Sequence, residues 1–181
     1  MIPIIIGFSG KRASGKSTLS RRVANRIASH YLSFGDYVRT EASKRGLNDS
    51  ITNLQLIGEE LMKYPKNFCK DILNSWNRKE NLVIDGIRHE IILNCLREIV
   101  SPSNLYLIYI ETEEDVRILR LQNRGESLTD SYSLDSHSTE QDVKNKLKMC
   151  ADLIVNNSET EDDSFDCIID FLKEIYPELL S

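Results

Sequence analysis

The stretch GFSGKRASGKST, Gly7–Thr18, decides the fold. Behind it stands the apolar run Ile2–Ile6, and ahead of it Leu19, Val23 and Ile27 recur at i, i+4 and i+8, one face of a helix. Within it, Gly10-Lys11-Arg12-Ala13-Ser14-Gly15-Lys16-Ser17 fits G-x-x-x-x-G-K-S/T without deviation. The strand before it and the helix after it are the setting that gives this pattern its meaning. Glycines let the backbone wrap a phosphate so that several N–H groups point inward, and the helix N-terminus adds its partial positive charge there. Lys16 reaches the β- and γ-phosphates, and the Ser17 hydroxyl ligates magnesium. Gly10 to Thr18 therefore reads as a nucleotide-binding segment with ATP and Mg2+ as its cofactors. Lys11 and Arg12 sit in the variable part of the loop, where plain exposure is the competing reading.

The same alternation continues along the chain. Apolar runs "YLSF", "NLVIDG", "NLYLIYIE" and "ADLIVNN" each precede an amphipathic stretch. Five apolar runs with helical patterns between them predict a parallel sheet wrapped by helices on both faces, an α/β/α domain spanning 1–181. Residues 36–79 exceed one crossover helix and predict two or three, an insertion that covers a substrate. Pro65 fits the first turn of the last of these. Trp76, with Phe68 and Leu73, reads as helix core. The polar stretch Gly125–His137 reads as one long loop. His137 and Glu140 stand one helical turn apart, but Ser138 with Gln141 resembles a capping box, so this stretch reads as a helix start rather than a metal pair.

With 181 residues, 40% hydrophobic and 28% charged, the chain has the profile of a globular protein with room for a real core. Its net charge of −5 argues against a general nucleic-acid binder, which needs a basic face. Four scattered cysteines without CxxC spacing argue against a zinc site. Neither a secretory signal nor a membrane span is visible, so the chain reads as cytoplasmic, with free thiols and no membrane partner.

A second carboxylate is expected at the end of a neighbouring strand, to hold magnesium through its water shell. "NLVIDG" puts Asp85 there. Asp36, read as the end of the "YLSF" strand, is its competitor. GTPase signatures of the NKxD and DxxG type are missing, which leaves a small phosphotransferase.

Three further segments resemble nucleoside monophosphate kinases. "SFGDYVR" (Ser33–Arg39) resembles the S-T-G-D-x-x-R segment of adenylate kinases, whose arginine grips the acceptor phosphate. "DGIR" (Asp85–Arg88) resembles D-G-F/Y-P-R, one residue shorter and without the proline. "RLQNR" (Arg120–Arg124) resembles R-I-x-x-R, whose first arginine packs on the ATP base and whose second contacts phosphates. The loop, with Ala13 where adenylate kinases carry glycine, is closer to phage-type deoxynucleoside monophosphate kinases and animal phosphomevalonate kinases. "DSHSTE" and "ADLIVNN" also resemble the phage-type enzymes. "GDYVRTEASKRGL" and "VIDGIR" are similar to archaeal nucleotide-kinase-like and dephospho-CoA-kinase-like proteins. The resemblance implies a P-loop kinase sheet in order 2-3-1-4-5 and a short lid at about 120–140. It implies Arg39 and Arg88 on the acceptor, Arg120 and Arg124 over the donor, and Lys16, Arg88 and Arg124 as catalytic groups. This chain has no arginine after Arg124; Lys144, Lys146 and Lys148 are the cations available to stand in for lid arginines.

A monophosphate acceptor is already anionic and needs arginines rather than a base. A hydroxyl acceptor, as in dephospho-CoA kinase, needs a carboxylate to take its proton, and Asp36 is the candidate. Two acceptor-side arginines favour a nucleotide-like phosphate acceptor. A regulatory protein that binds ATP without transfer is the third reading.

Overall fold

The computed structural model of the chain describes residues 2–125 and 143–179. The element order is β1 (Ile5–Gly10), α1 (Lys16–Arg26), β2 (His30–Ser33), α2 (Phe34–Lys44), α3 (Ile51–Met62), α4 (Pro65–Leu73), β3 (Leu82–Asp85), α5 (Glu90–Val100), β4 (Leu105–Glu111) and α6 (Glu114–Asn123). A short π-helical turn, Val143–Leu147, then leads to β5 (Leu153–Asn156) and α7 (Glu161–Ile175). The five strands form one sheet in the order β2-β3-β1-β4-β5, every pair parallel. This is the architecture and strand order expected from the motifs.

The strands alternate their side chains between two cores, as the two-residue strand period demands. Ile5, Leu82, Ile84, Leu105, Leu107 and Tyr109 face a core completed by α4 and α5. Ile6, Phe8, Val83, Ile108 and Ile110 face the other, completed by α1 and α7. Burial on both faces explains why these strands read as unbroken apolar runs. Trp76 is in the first core with Phe68 and Leu73, its indole N–H donating to the Glu80 carbonyl at 2.8 Å.

Residues 36–79 hold α2 from its third residue onward together with α3 and α4, and Pro65 opens α4. One boundary differs from expectation. Asp36 does not end β2; the strand stops at Ser33, whose hydroxyl caps α2 by accepting from the Asp36 N–H at 3.2 Å, so Asp36 lies in that helix's first turn. The cap captures the chain before the apolar run is used up, because Phe34 is buried equally well from a helix. The lid segment beyond Gly125, with His137, Ser138, Glu140 and Gln141, lies outside the described residues.

Candidate active site

The loop between β1 and α1 leaves the sheet at its centre, where β1 has β3 on one side and β4 on the other. This is the topological switch point, at which open α/β sheets bind ligands. Gly10 has φ +145°, and a Cβ on it would stand 2.5 Å from the Ile110 carbonyl oxygen and 2.9 Å from Ser14 Oγ. Only glycine passes there. Ala13 takes φ +61° although it is not glycine, at a cost of about 1 kcal/mol. Gly15, at φ +87°, is the N-cap of α1. The first helical N–H groups, those of Lys16 and Ser17, therefore have no acceptor within the helix and open toward the loop. The Lys16 ammonium is buried, 7% exposed, and Nζ donates across the loop to the Lys11 carbonyl at 3.3 Å.

The Ser17 hydroxyl donates to Oδ2 of Asp85 at 2.7 Å. Asp85 ends β3 in register with Phe8 of β1 and is 4% exposed, and its Oδ1 has no hydrogen-bond partner. A buried carboxylate oxygen left without a donor is costly, and a hydrated cation is the group that satisfies it. The pair thus fits a magnesium ion by its donor set, a hydroxyl and a carboxylate, both hard oxygens. The sequence reading joined these two residues, and the fold brings them into contact.

On the other side of the loop, α6 grips the backbone. Arg117, 1% exposed, donates through Nη1 to the Arg12 carbonyl at 3.5 Å and through Nε to Glu114 Oε2 at 3.1 Å; its Nη2 also bonds Oε1 of that carboxylate. Lys11 pairs with the same Glu114 at 3.2 Å. Hydrogen bonds from Arg117 and then from Lys11 hold the Glu114 carboxyl down at about 2. Arg120 donates to the carbonyls of Ser14, at 3.3 Å, and Asn157, at 2.9 Å. The resemblance set Arg120 on the ATP base; here both of its terminal nitrogens hold backbone carbonyls. Thr18 is exposed in the first turn of α1, and Arg124 is exposed at the C-cap of α6. Lys148 forms an ion pair with Glu111 at 2.5 Å.

A second cluster of polar side chains joins α1, α2 and the turn after β3. Gly86 has φ +83°, and a Cβ there would lie 3.8 Å from the Gly35 nitrogen, so the "SFG" and "DGI" turns pack closely. Asp36 is exposed and engaged on both oxygens, by Arg39 Nη1 at 3.0 Å and by Arg21 Nη2 at 2.9 Å. Arg21 also lies over the Tyr31 ring, 4.5 Å from its centroid. Burial, followed by the charge of Asp85, raises the Tyr31 hydroxyl to about 12. Arg88 is half-buried in the extended turn between β3 and α5.

Residues 6–144 match the AAA domain family. A UPF0200 protein from Methanothrix thermoacetophila is 34% identical over 125 residues, covering 68% of this chain and 67% of that one. The chain belongs to the AAA domain and UPF0200 families. A cytidylate kinase from Sulfurisphaera tokodaii is 26% identical over 121 residues, 67% of this chain and 62% of that enzyme. Among solved structures, a sugar kinase from a Janibacter species superposes with a TM-score of 0.66 over 99% of both chains at 12% identity, a likeness of fold. The P-loop kinase architecture read from the motifs is thus shared with kinase structures. No helix among the described residues is long and apolar enough to cross a membrane, and all four cysteines are free.

The sequence reading passed over Arg21, Thr112 and Arg117, and it took in Asn157 only as the end of the ADLIVNN resemblance, without a role. For Arg117 a signal existed: Arg117, Arg120 and Arg124 recur at i, i+3 and i+7, one face of α6. Arg21 and Thr112 carried none, because their contacts come from elements distant in the chain.

Proposed function

We propose that this chain is an ATP- and magnesium-dependent phosphotransferase whose acceptor is a nucleoside or deoxynucleoside monophosphate. The observation that carries the reading is Ser17 bonded to Asp85 beside a complete phosphate loop, with the second carboxylate oxygen buried and unpartnered. The likeness to a cytidylate kinase supports a nucleotide-like acceptor.

The chemistry follows from the residues. The N–H groups from Gly10 to Thr18 cradle the donor phosphates, and Lys16 exchanges the Lys11 carbonyl for their β- and γ-oxygens. Ser17 and Asp85 would hold a magnesium ion, which would supply charge neutralisation for the donor phosphates. Arg39 and Arg88 hold the acceptor anion, with Arg124 and Lys16 offsetting charge on the moving phosphoryl group. The acceptor oxygen is already ionised, so no general base is required. The exposed Arg39–Asp36 pair is worth little in water, and a phosphate that bonds the guanidinium through two oxygens displaces it readily. Helices α2 to α4 close over the ligands and keep water from the γ-phosphate.

The test is ADP release with ATP and magnesium against a panel of ribo- and deoxynucleoside monophosphates plus dephospho-CoA. Stimulation by one monophosphate is expected. Stimulation by dephospho-CoA alone assigns Asp36 as base and removes the acceptor arginines from the argument. Slow hydrolysis indifferent to every acceptor assigns a regulatory role.

A further inference from the structure

Three donors, one from α6 and one each from the residues just after β4 and β5, converge on one backbone oxygen, the Ser14 carbonyl. Asn157 Nδ2 reaches it at 2.8 Å, Thr112 Oγ1 at 3.0 Å and Arg120 Nη1 at 3.3 Å. A carbonyl has two lone pairs, and one such bond already satisfies it, so three are more than burial demands. Asn157 is itself held on every side. It is 2% exposed, its N–H donates to the Glu111 carbonyl at 2.8 Å, and its Oδ1 accepts from the Ser164 hydroxyl of α7 at 3.0 Å. Arg120 spans the joint, holding the Asn157 carbonyl as well as that of Ser14. Asn157 and Gly15 interlock, since a Cβ on Gly15 would fall 2.2 Å from Asn157 Nδ2.

We propose that Asn157, with Thr112 and Arg120, is a positioning residue that aims the Gly15 N–H at the bound phosphate by fixing the Ser14–Gly15 peptide plane. In a trans peptide the C=O and the next N–H point in opposite directions. Three donors pulling the Ser14 oxygen toward β4, β5 and α6 therefore turn the Gly15 N–H the other way, into the loop. Left to itself, a peptide between an alanine-led turn and a glycine at φ +87° is free to flip, which would present an oxygen to an anion. The brace removes that alternative before the ligand arrives, so less ordering is required on binding. Asn157 touches no phosphate in this arrangement; it acts through Ser14. The last strand and α7 are thereby coupled to the loop. The inference rests on reading the loop as a phosphate site, and it makes no use of the acceptor.

The experiment titrates the full chain and two variants, Asn157→Asp and Thr112→Val, with inorganic tripolyphosphate and with ATP by calorimetry. In parallel the Gly15 amide is followed in nitrogen-15-labelled protein. Asn157→Asp keeps the shape but turns an acceptor toward the Ser14 oxygen, and about a tenfold loss of affinity is expected for both ligands. Thr112→Val removes one of the donors, and about a threefold loss is expected. The Gly15 amide is expected to shift downfield as ligand is added to the unaltered chain and to respond less in each variant. Merely structural damage lowers the melting temperature without changing that response. Variants that bind both ligands as tightly as the unaltered chain, with the Gly15 response intact, overturn the proposal. Losses of the expected size alongside no transfer to any acceptor uphold it while removing the phosphotransferase reading.

Discussion

The Ser17 hydroxyl and the Asp85 carboxylate meet at 2.7 Å, joining the first turn of α1 to the end of β3, residues 68 positions apart. One oxygen of that carboxylate is satisfied and the other is not. Asp85→Asn keeps the shape and removes the charge. Turnover is expected to fall by about 10²-fold or more. Stability without magnesium is expected to rise by about 1 kcal/mol, because a buried anion with an unpaired oxygen becomes a neutral amide. Melting curves with and without magnesium check this, and a variant still stabilised by the metal as fully as the original chain would rule the site out.

Lys16→Ala is expected to abolish turnover, since its ammonium is the group proposed to reach both the β- and γ-phosphates. Arg39→Ala is expected to raise the acceptor KM about 10- to 100-fold, the worth of a charged hydrogen bond, while changing the ATP KM by no more than about twofold. Steady-state kinetics with each substrate varied separates the two. Equal rises in both constants would remove Arg39 from the acceptor.

Gly10→Ala introduces a methyl 2.5 Å from the Ile110 backbone oxygen at φ +145°, where neither strand can yield. A loss of about 2–3 kcal/mol is expected by urea unfolding. A change below about 0.5 kcal/mol would contradict the close approach of β1 and β4 at this point.

Glu114 has its carboxyl lowered from an ordinary 4.5 to about 2 by Arg117 first and Lys11 after it. A group depressed on folding contributes stability that is complete above its unfolded value and lost as pH falls through its folded one. The contribution of Glu114 therefore declines between pH 4.5 and about 2. Arg117 stays cationic throughout. Arg117→Ala strands this pair and a loop carbonyl, and is expected to cost about 2–3 kcal/mol at neutral pH and to flatten the acid limb of the stability profile. An unchanged acid limb would show that the pair is not coupled to folding.

Cys69 is fully buried, and its thiol is pushed up to about 12 by burial and then by Cys95 beside it, whereas Cys167 is exposed. At about pH 8 a thiol reagent is expected to modify Cys167 rapidly and Cys69 only on global unfolding. Mass-resolved labelling reads both, and early modification of Cys69 would place α4 off the core.

The sequence by itself determined the loop, the parallel sheet and the helices that wrap it. Their signals are local: a contiguous glycine pattern whose backbone conformations only certain residues tolerate, and apolar periods that report which face each element buries. It also placed Asp85, because an apolar run ending in a carboxylate is visible as a string. Tertiary structure alone decided the rest. Asp36 reads as a strand end until Ser33 is seen to cap α2, and whether a serine caps depends on the dihedrals around it. Arg120 also bonds the carbonyls of Ser14 and Asn157, 106 and 37 residues away, contacts that its place in the motif does not announce. No local pattern records that three side chains, from α6 and from the residues just after β4 and β5, share one carbonyl. Such contacts exist only once the sheet order has brought the strand ends together, and hydrogen bonds between distant residues leave no period in the chain.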